Sequence, residues 1–291
     1  MDANTAGVRN RLLNTGRARY ALYRLRRDWT SGLVGMIALA VVAGAIFAVA
    51  SSKNVRWSQV GHYLTNGEIL QGLVVTVELT FICMTLGTII AVILAAMRIS
   101  HNRILRAVSG TYVWFFRGTP LLVQLILWYN IALFVPGVWI LGFGISINAL
   151  ISPMMAAVLG LSLNAAAYMA EIVRSGILSV DRGQTEAALA LGLTPRQALS
   201  KIVLPQAIRI MVPPAANQTI DMFKATSLVS VIGTGDLLAK AESIYSQNFL
   251  VIELLFVACF WYLLITTIAT LVEGALERRL NRGVSHGVGR A

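Results

Sequence analysis

Few side chains in this sequence are of types that do chemistry, and the most conspicuous of them stand inside long apolar runs: Glu78 in one, Asn164, Tyr168 and Glu171 in another. An ionisable group placed in hydrocarbon costs roughly 3 kcal/mol on insertion scales, so it faces a pathway or a partner rather than lipid. Carboxylates and amides can hold an ammonium group, and hydroxyls with backbone N–H groups can hold a carboxylate, so the set suits a zwitterion. Asn164, Tyr168 and Glu171 follow one another at i, i+4 and i+7, one face of a helix, which is consistent with the lining of a polar path. Glu171 has a second reading, an ion pair with Arg174 three residues on. Glu78, with Thr76 and Thr80 beside it, either touches a ligand or makes a hydrogen bond between helices. Downstream, Pro213-Pro214 is expected to break a span that then turns polar through Asn217, Gln218, Thr219, Asp221 and Lys224. Such backbone is tolerated at membrane depth where it lines a cavity or is buried in protein. Asp221 and Lys224, three residues apart, can also simply neutralise each other.

The signatures of catalysis are missing from the sequence. No Gly-x-x-x-x-Gly-Lys-Ser/Thr phosphate loop occurs, so a nucleotide would have to be bound by another chain. His62, His101 and His286 are scattered, so no metal site is expected, and none has a Ser or Cys partner at a recognisable spacing. Cys83 and Cys259 fall within apolar stretches and are expected to be free, buried thiols.

The elements that carry these residues are read from hydropathy. Of 291 residues, 57% are hydrophobic and 13% charged, about half the charge of an average soluble chain, and the mean hydropathy is +0.71. The apolar runs are continuous rather than alternating, which excludes the pattern of a β-barrel. The expected fold class is therefore all-α, a polytopic helical membrane protein. Six segments reach the about 20 residues that a span needs: 31–50, 69–97, 111–135, 153–173, 205–223 and 249–271. With six spans, 20 of the 24 Lys and Arg residues fall on one side, which by the positive-inside rule places both termini in the cytoplasm. The net charge of +11 has the same origin, and no nucleic-acid partner is inferred. The first 29 residues are Arg-rich but polar, which does not read as a signal peptide.

The longest cytoplasmic connection, residues 179–204, carries unusually explicit helix boundaries. Asp181 is placed to cap a short helix, with Gln184 three residues on completing a capping box. The run Glu186–Leu191 is made of strong helix formers, and Gly192 supplies a left-handed stop. Thr194, Pro195 and Gln197 then restart a helix with a second capping box, and Pro205 bends the chain into the next span. The exposed face of the first short helix is expected to be small: Ala187, Ala188 and Ala190, with Glu186 at its start. Two readings stand for such a stub: insertion into a groove on another protein, or a surface connection packed on the ends of the spans.

Glu186-Ala187-Ala188, then Gly192, then Ile202-x-Leu204-Pro205 is similar to the EAA loop of ABC-importer permeases. Other segments resemble the polar amino-acid uptake branch of that family: Gly72–Thr80, Phe116–Gln124, Ser162-Leu163-Asn164 to Ala170-Glu171, Leu204–Arg209 and Thr226–Gly233. The resemblance runs from about residue 70 to about 280. Ala225 departs from relatives that carry an acidic or amide residue there, and the Arg-rich tail and first span lie outside the shared core. The resemblance implies a type I importer transmembrane domain with a core over 68–280, a coupling helix within about 181–193, and tails at 1–67 and 281–291. It implies that Glu186, Ala187, Ala188 and Gly192 dock on a separate ATPase, which binds ATP and Mg. It further implies a second permease, either another copy or a paralogue, an extracytoplasmic solute-binding protein, a polar amino acid as solute, and location in the cell membrane. On this reading the chain itself is no enzyme and binds no cofactor. Rival classes are an ion-driven secondary transporter, for which no inverted repeat is visible, and a membrane anchor or receptor, which would not need polar residues down several spans.

Overall fold

The computed structural model describes residues 33–140, 143–146 and 151–280. Its contacts divide the chain into two units that meet between Arg56 and Trp57. In the first, helix α1 (Leu33–Ala50) is apolar and exposed along its whole length, as a single span without a packing partner within its unit must be. The tail upstream of it lies outside the described residues.

Among its described residues, the second unit has helices and one hairpin. It runs through α2 (Trp57–Leu64), α3 (Gly67–Ile99), α4 (Arg103–Gly118), α5 (Leu121–Tyr129), strands β1 (Gly137–Ile140) and β2 (Phe143–Ser146), α6 (Pro153–Leu178), α7 (Arg182–Ala190), α8 (Pro195–Ala198), α9 (Leu204–Ala225), α10 (Leu237–Asn248) and α11 (Val251–Leu280). The strands pair antiparallel, Gly137 opposite Ser146. Helix starts follow short polar caps: Asn66 accepts from the Glu68 N–H, Asn102 from Ile104 and Ser152 from Met155.

Among the described residues, four helices are long and apolar enough to cross a membrane: α1, α3, α6 and α11. Two expectations need correction. The segment 111–135 is not one helix, because it is interrupted at Thr119-Pro120 and leaves helical form beyond Tyr129. Conversely, Pro213-Pro214 does not break the helix that contains it: α9 runs unbroken from Leu204 to Ala225 with both prolines inside. A proline removes a helical hydrogen bond, but membrane helices tolerate the loss where the freed groups find other partners. Pro205 stands at the start of α9, which α8 enters through a π-helical turn at Leu199–Val203.

The core sits where α3 crosses α6, and it is built from small side chains. Ala156, Ala157, Ala165 and Ala166 are completely buried, as is Leu161. A Cβ at Gly87 would lie 2.8 Å from the Ala165 Cβ and 3.1 Å from the Ser162 carbonyl oxygen, so only glycine fits. In lipid, helices gain little from hydrophobicity when they associate, and small residues let the backbones approach closely enough for dispersion to hold them. A second cluster joins the start of α3 to α10 and α11 through Ile69, Leu237, Leu254 and Val257. There the buried Thr76 hydroxyl accepts from the Leu237 N–H at 3.1 Å. Cys83 is buried in the first cluster as expected, whereas Cys259 is exposed. The reason is that α11 buries only the face of Glu253, Leu254, Val257 and Ala258. Replacing Gly87 with Leu should destabilise the protein by about 1–3 kcal/mol through overpacking. Gly61→Ala, with nothing near the added methyl, should hold or raise stability, and thermal unfolding in detergent reads both.

Candidate functional site

The interruption between α4 and α5 opens onto a polar concavity in the second unit. Thr119 precedes a proline and is forced extended (φ −113°, ψ 145°), so the helix stops there. Pro120 has no N–H to offer the carbonyl four residues back, that of Phe116. Two side-chain amides serve it instead: Gln124 Nε2 donates at 2.9 Å and Asn164 Nδ2 at 3.0 Å. Asn164 Nδ2 also donates to Gln124 Oε1 at 3.2 Å, and Gln124 reaches Thr119 as well. Asn164 is thus a buried clamp on the break, with its edge towards a cavity of about 520 Å³.

Arg117, Thr119, Asn164, Tyr168, Gln218 and Asp221 are among the residues lining that cavity. The Arg117 guanidinium lies 5.1 Å from the centre of the Tyr168 ring, a cation–π contact. Asp221 pairs with Lys224 at 2.7 Å, both well exposed. One fixed cation, one carboxylate and several amide and hydroxyl groups therefore share one space at the helix break. That arrangement can hold a carboxylate and an ammonium group at once.

The expected helical stripe divides under inspection. Tyr168 lines the cavity and Asn164 braces it. Glu171 lies outside its lining and accepts from Arg174 Nε at 3.0 Å and Arg174 Nη2 at 2.8 Å, and from Arg98 Nη2 at 3.3 Å. The ion-pair reading of Glu171 describes its geometry. Glu78 is exposed on α3 between Val74 and Phe81, away from the cavity. Gln218 and Asp221 come from the polar stretch that was expected to line a cavity or be buried; Arg117 and Gln124 were not singled out as site residues, and their signal was Thr119-Pro120 inside an apolar run, with a charge before it and an amide after it.

The helical stub forms with one of its two boxes. Asp181 caps α7 by accepting from the Gly183 N–H at 2.8 Å, but the expected reciprocal bond from Gln184 is not made. At the other end Gly192 is left-handed (φ +83°). The Leu193 N–H reaches the Ala188 carbonyl at 3.1 Å and the Gly192 N–H reaches that of Leu189 at 3.0 Å, a Schellman stop. Thr194 and Gln197 close their box as expected. Ala188, expected on the exposed face, is buried, because it seats α7 against its neighbours. The outward surface is Glu186, Ala187, Ala190 and, unforeseen, Leu189 and Leu191, the latter 83% exposed.

Residues 87–282 match the family model of the binding-protein-dependent transport system inner membrane component. The chain belongs to this family. As such a permease it resides in the inner membrane and is a transport subunit, with ATP hydrolysis on a separate chain. It is similar to the arginine transport system permease protein ArgU of Corynebacterium glutamicum, with 39% identity over 250 residues covering 85% of this chain and 79% of the relative. It is also similar to the L-cystine transport system permease protein TcyB of Bacillus subtilis, with 39% identity over 216 residues, 74% of this chain and 87% of the relative. Among solved structures, an amino acid ABC transporter crystallised with histidines superposes with a TM-score of 0.67 at 34% identity, covering 77% of the permease and 97% of the other chain.

The clamp on the break can be tested directly. Asn164→Leu in the permease leaves Gln124 alone to serve the freed carbonyl and loses two buried hydrogen bonds, which should cost about 1–3 kcal/mol. In a Pro120→Ala background the loss should shrink, because the alanine N–H can serve the same carbonyl. Chemical denaturation of the four proteins of this cycle measures both effects.

Proposed function

We propose that this permease forms the translocation pathway of an ATP-driven importer for polar amino acids, with the cavity at the α4–α5 break as a station on the path. The observation that carries the reading is that a guanidinium, Arg117, and a carboxylate, Asp221, line one polar cavity. Relatives with 39% identity that are named for arginine and cystine support the solute class. Tyr168 and Asn164 belong to this station. Glu171 acts on it at one remove, by holding Arg174 and Arg98, and Glu78 belongs to another surface. Residues 68–280 make up the working core, with 1–67 and 281–291 as additions to it.

The capped stub is the coupling element. Glu186, Ala187, Ala188 and Gly192 form a rigid handle, with the exposed Leu189 and Leu191 as its apolar contact for an ATPase subunit. Ala188 contributes from beneath, by fixing the angle of the helix. Two permeases, either two copies or this chain with a paralogue, enclose the path. Two ATPase subunits carry ATP and Mg inside, and a solute-binding protein delivers from outside. Closure of the ATPase pair draws the handles together and opens the cavity outward; hydrolysis resets it. Three residues, 179–181, join α6 to α7, and α8 continues into α9 without a break, so a pull on the stub is transmitted to the cavity through α6 and α9.

Two experiments test the reading. In proteoliposomes holding the permease with its ATPase and binding protein, Glu186→Lys or Gly192→Val should abolish transport-stimulated hydrolysis while insertion and basal hydrolysis persist. Normal uptake by both variants would defeat the docking role. Separately, Arg117→Ala and Asp221→Asn should each lower uptake at least about tenfold, as expected for losing a charge-assisted contact. Undiminished uptake in both would remove the cavity from the path.

A further inference from the structure

At the end of the bundle that bears the stub, three arginines surround a second cavity. Arg98 in the last turn of α3, Arg106 in α4 and Arg174 in α6 line a space of about 410 Å³ together with Ile99 and Leu178. Among the described residues, Glu171 is the carboxylate paired with this group, and it is shared between Arg98 and Arg174. Arg106 makes no ion pair among the described residues. Three guanidiniums against one carboxylate leave two positive charges uncompensated around one space. Such a group calls for an anion with several acceptor oxygens, and planar guanidiniums match phosphate in particular.

The walls of the cavity indicate the rest of the ligand. Ile99 and Leu178, which share its lining, are themselves exposed, and Ile104 and Val108 stand exposed on the adjoining turns of α4. A soluble phosphate would leave these apolar side chains in water, whereas two acyl chains would cover them. We propose that this cavity binds the headgroup phosphate of an anionic phospholipid, with its chains lying along α4 and the end of α6. A basic pocket between helices, at the membrane face where positive charge gathers, is the setting in which such headgroups are recognised. The bound lipid would neutralise the cluster that holds Glu171 and so fix the ends of α3, α4 and α6 next to the coupling element.

The test uses the full-length chain, purified in non-ionic detergent and titrated with dioleoyl phosphatidylglycerol or dioleoyl phosphatidylcholine, with bound lipids counted by native mass spectrometry. The phosphatidylglycerol should bind more tightly than the phosphatidylcholine. Arg106→Gln should weaken it about fivefold, the effect of one arginine at a membrane surface, because Arg106 takes no part in the Glu171 pairs and its loss leaves them intact. Arg103→Gln, one turn away and outside the cavity lining, should leave binding unchanged. Equal binding of the two lipids would overturn the proposal, as would an equal loss in both arginine variants, which would mean diffuse surface charge. Displacement of the lipid by millimolar inorganic phosphate would assign the site to a soluble anion. Loss of lipid on addition of the ATPase subunit would assign the arginines to that protein instead.

Discussion

A carbonyl freed inside packed protein has no water to turn to, and in this protein that constraint falls on the buried Phe116. The chain breaks its helix at Thr119-Pro120, where a polar concavity opens, and the break survives because Gln124 and Asn164 both bring amide protons to the orphaned oxygen. Asn164 comes from a different helix, so the same bonds that satisfy the backbone also tie α4 and α5 to α6. Once that tie is fixed, Arg117 is held over Tyr168 and Asp221 faces the same space. The cavity is thus a consequence of how the fold disposes of one hydrogen-bonding debt.

Close packing supplies the frame for this tie. Gly87 and the alanines of α6 bring α3 near enough for backbone atoms to meet, and Gly160 does the same against Leu125 of α5, whose side chain would lie 2.7 Å from an added Cβ. Side chains this short carry little rotamer entropy, so ordering them costs little. The outer surfaces of the bundle, by contrast, keep large apolar side chains exposed along α3 and α11, as a lipid-facing surface requires. The stub α7 follows different rules because it stands outside the bundle. Its stability comes from its caps, Asp181 at one end and the Gly192 stop at the other, and from the single buried Ala188.

Electrostatics divides the polar residues into distinct jobs that spacing alone does not separate. Asn164, Tyr168 and Glu171 share a helix face, yet one is a clamp, one is a wall and one is an ion-pair partner. The neighbours decide: Phe116 for the first, Arg117 for the second, Arg98 and Arg174 for the third. Arg98 reaches Glu171 from 73 residues away along the chain, a distance over which periodicity in α6 carries no information.

What the sequence determined by itself was whatever local rules govern. Hydropathy marked the long helices, short polar residues marked their starts, Gly192 marked a left-handed stop, and Thr194 with Gln197 marked a capping box, because each of these depends on residues within a turn or two. The motif spacing around Glu186 pointed to the family for the same reason. Thr119-Pro120 marked locally where 111–135 stops, but only tertiary structure decided that Asn164 from another helix serves the freed carbonyl and that α9 passes through two prolines. It also decided that Ala188 turns inward, that Glu171 is consumed by arginines and that Arg117 and Asp221 line one cavity. Those outcomes depend on which helices lie side by side, and the energy of a contact is set by the partner that arrives, which no stretch of sequence contains.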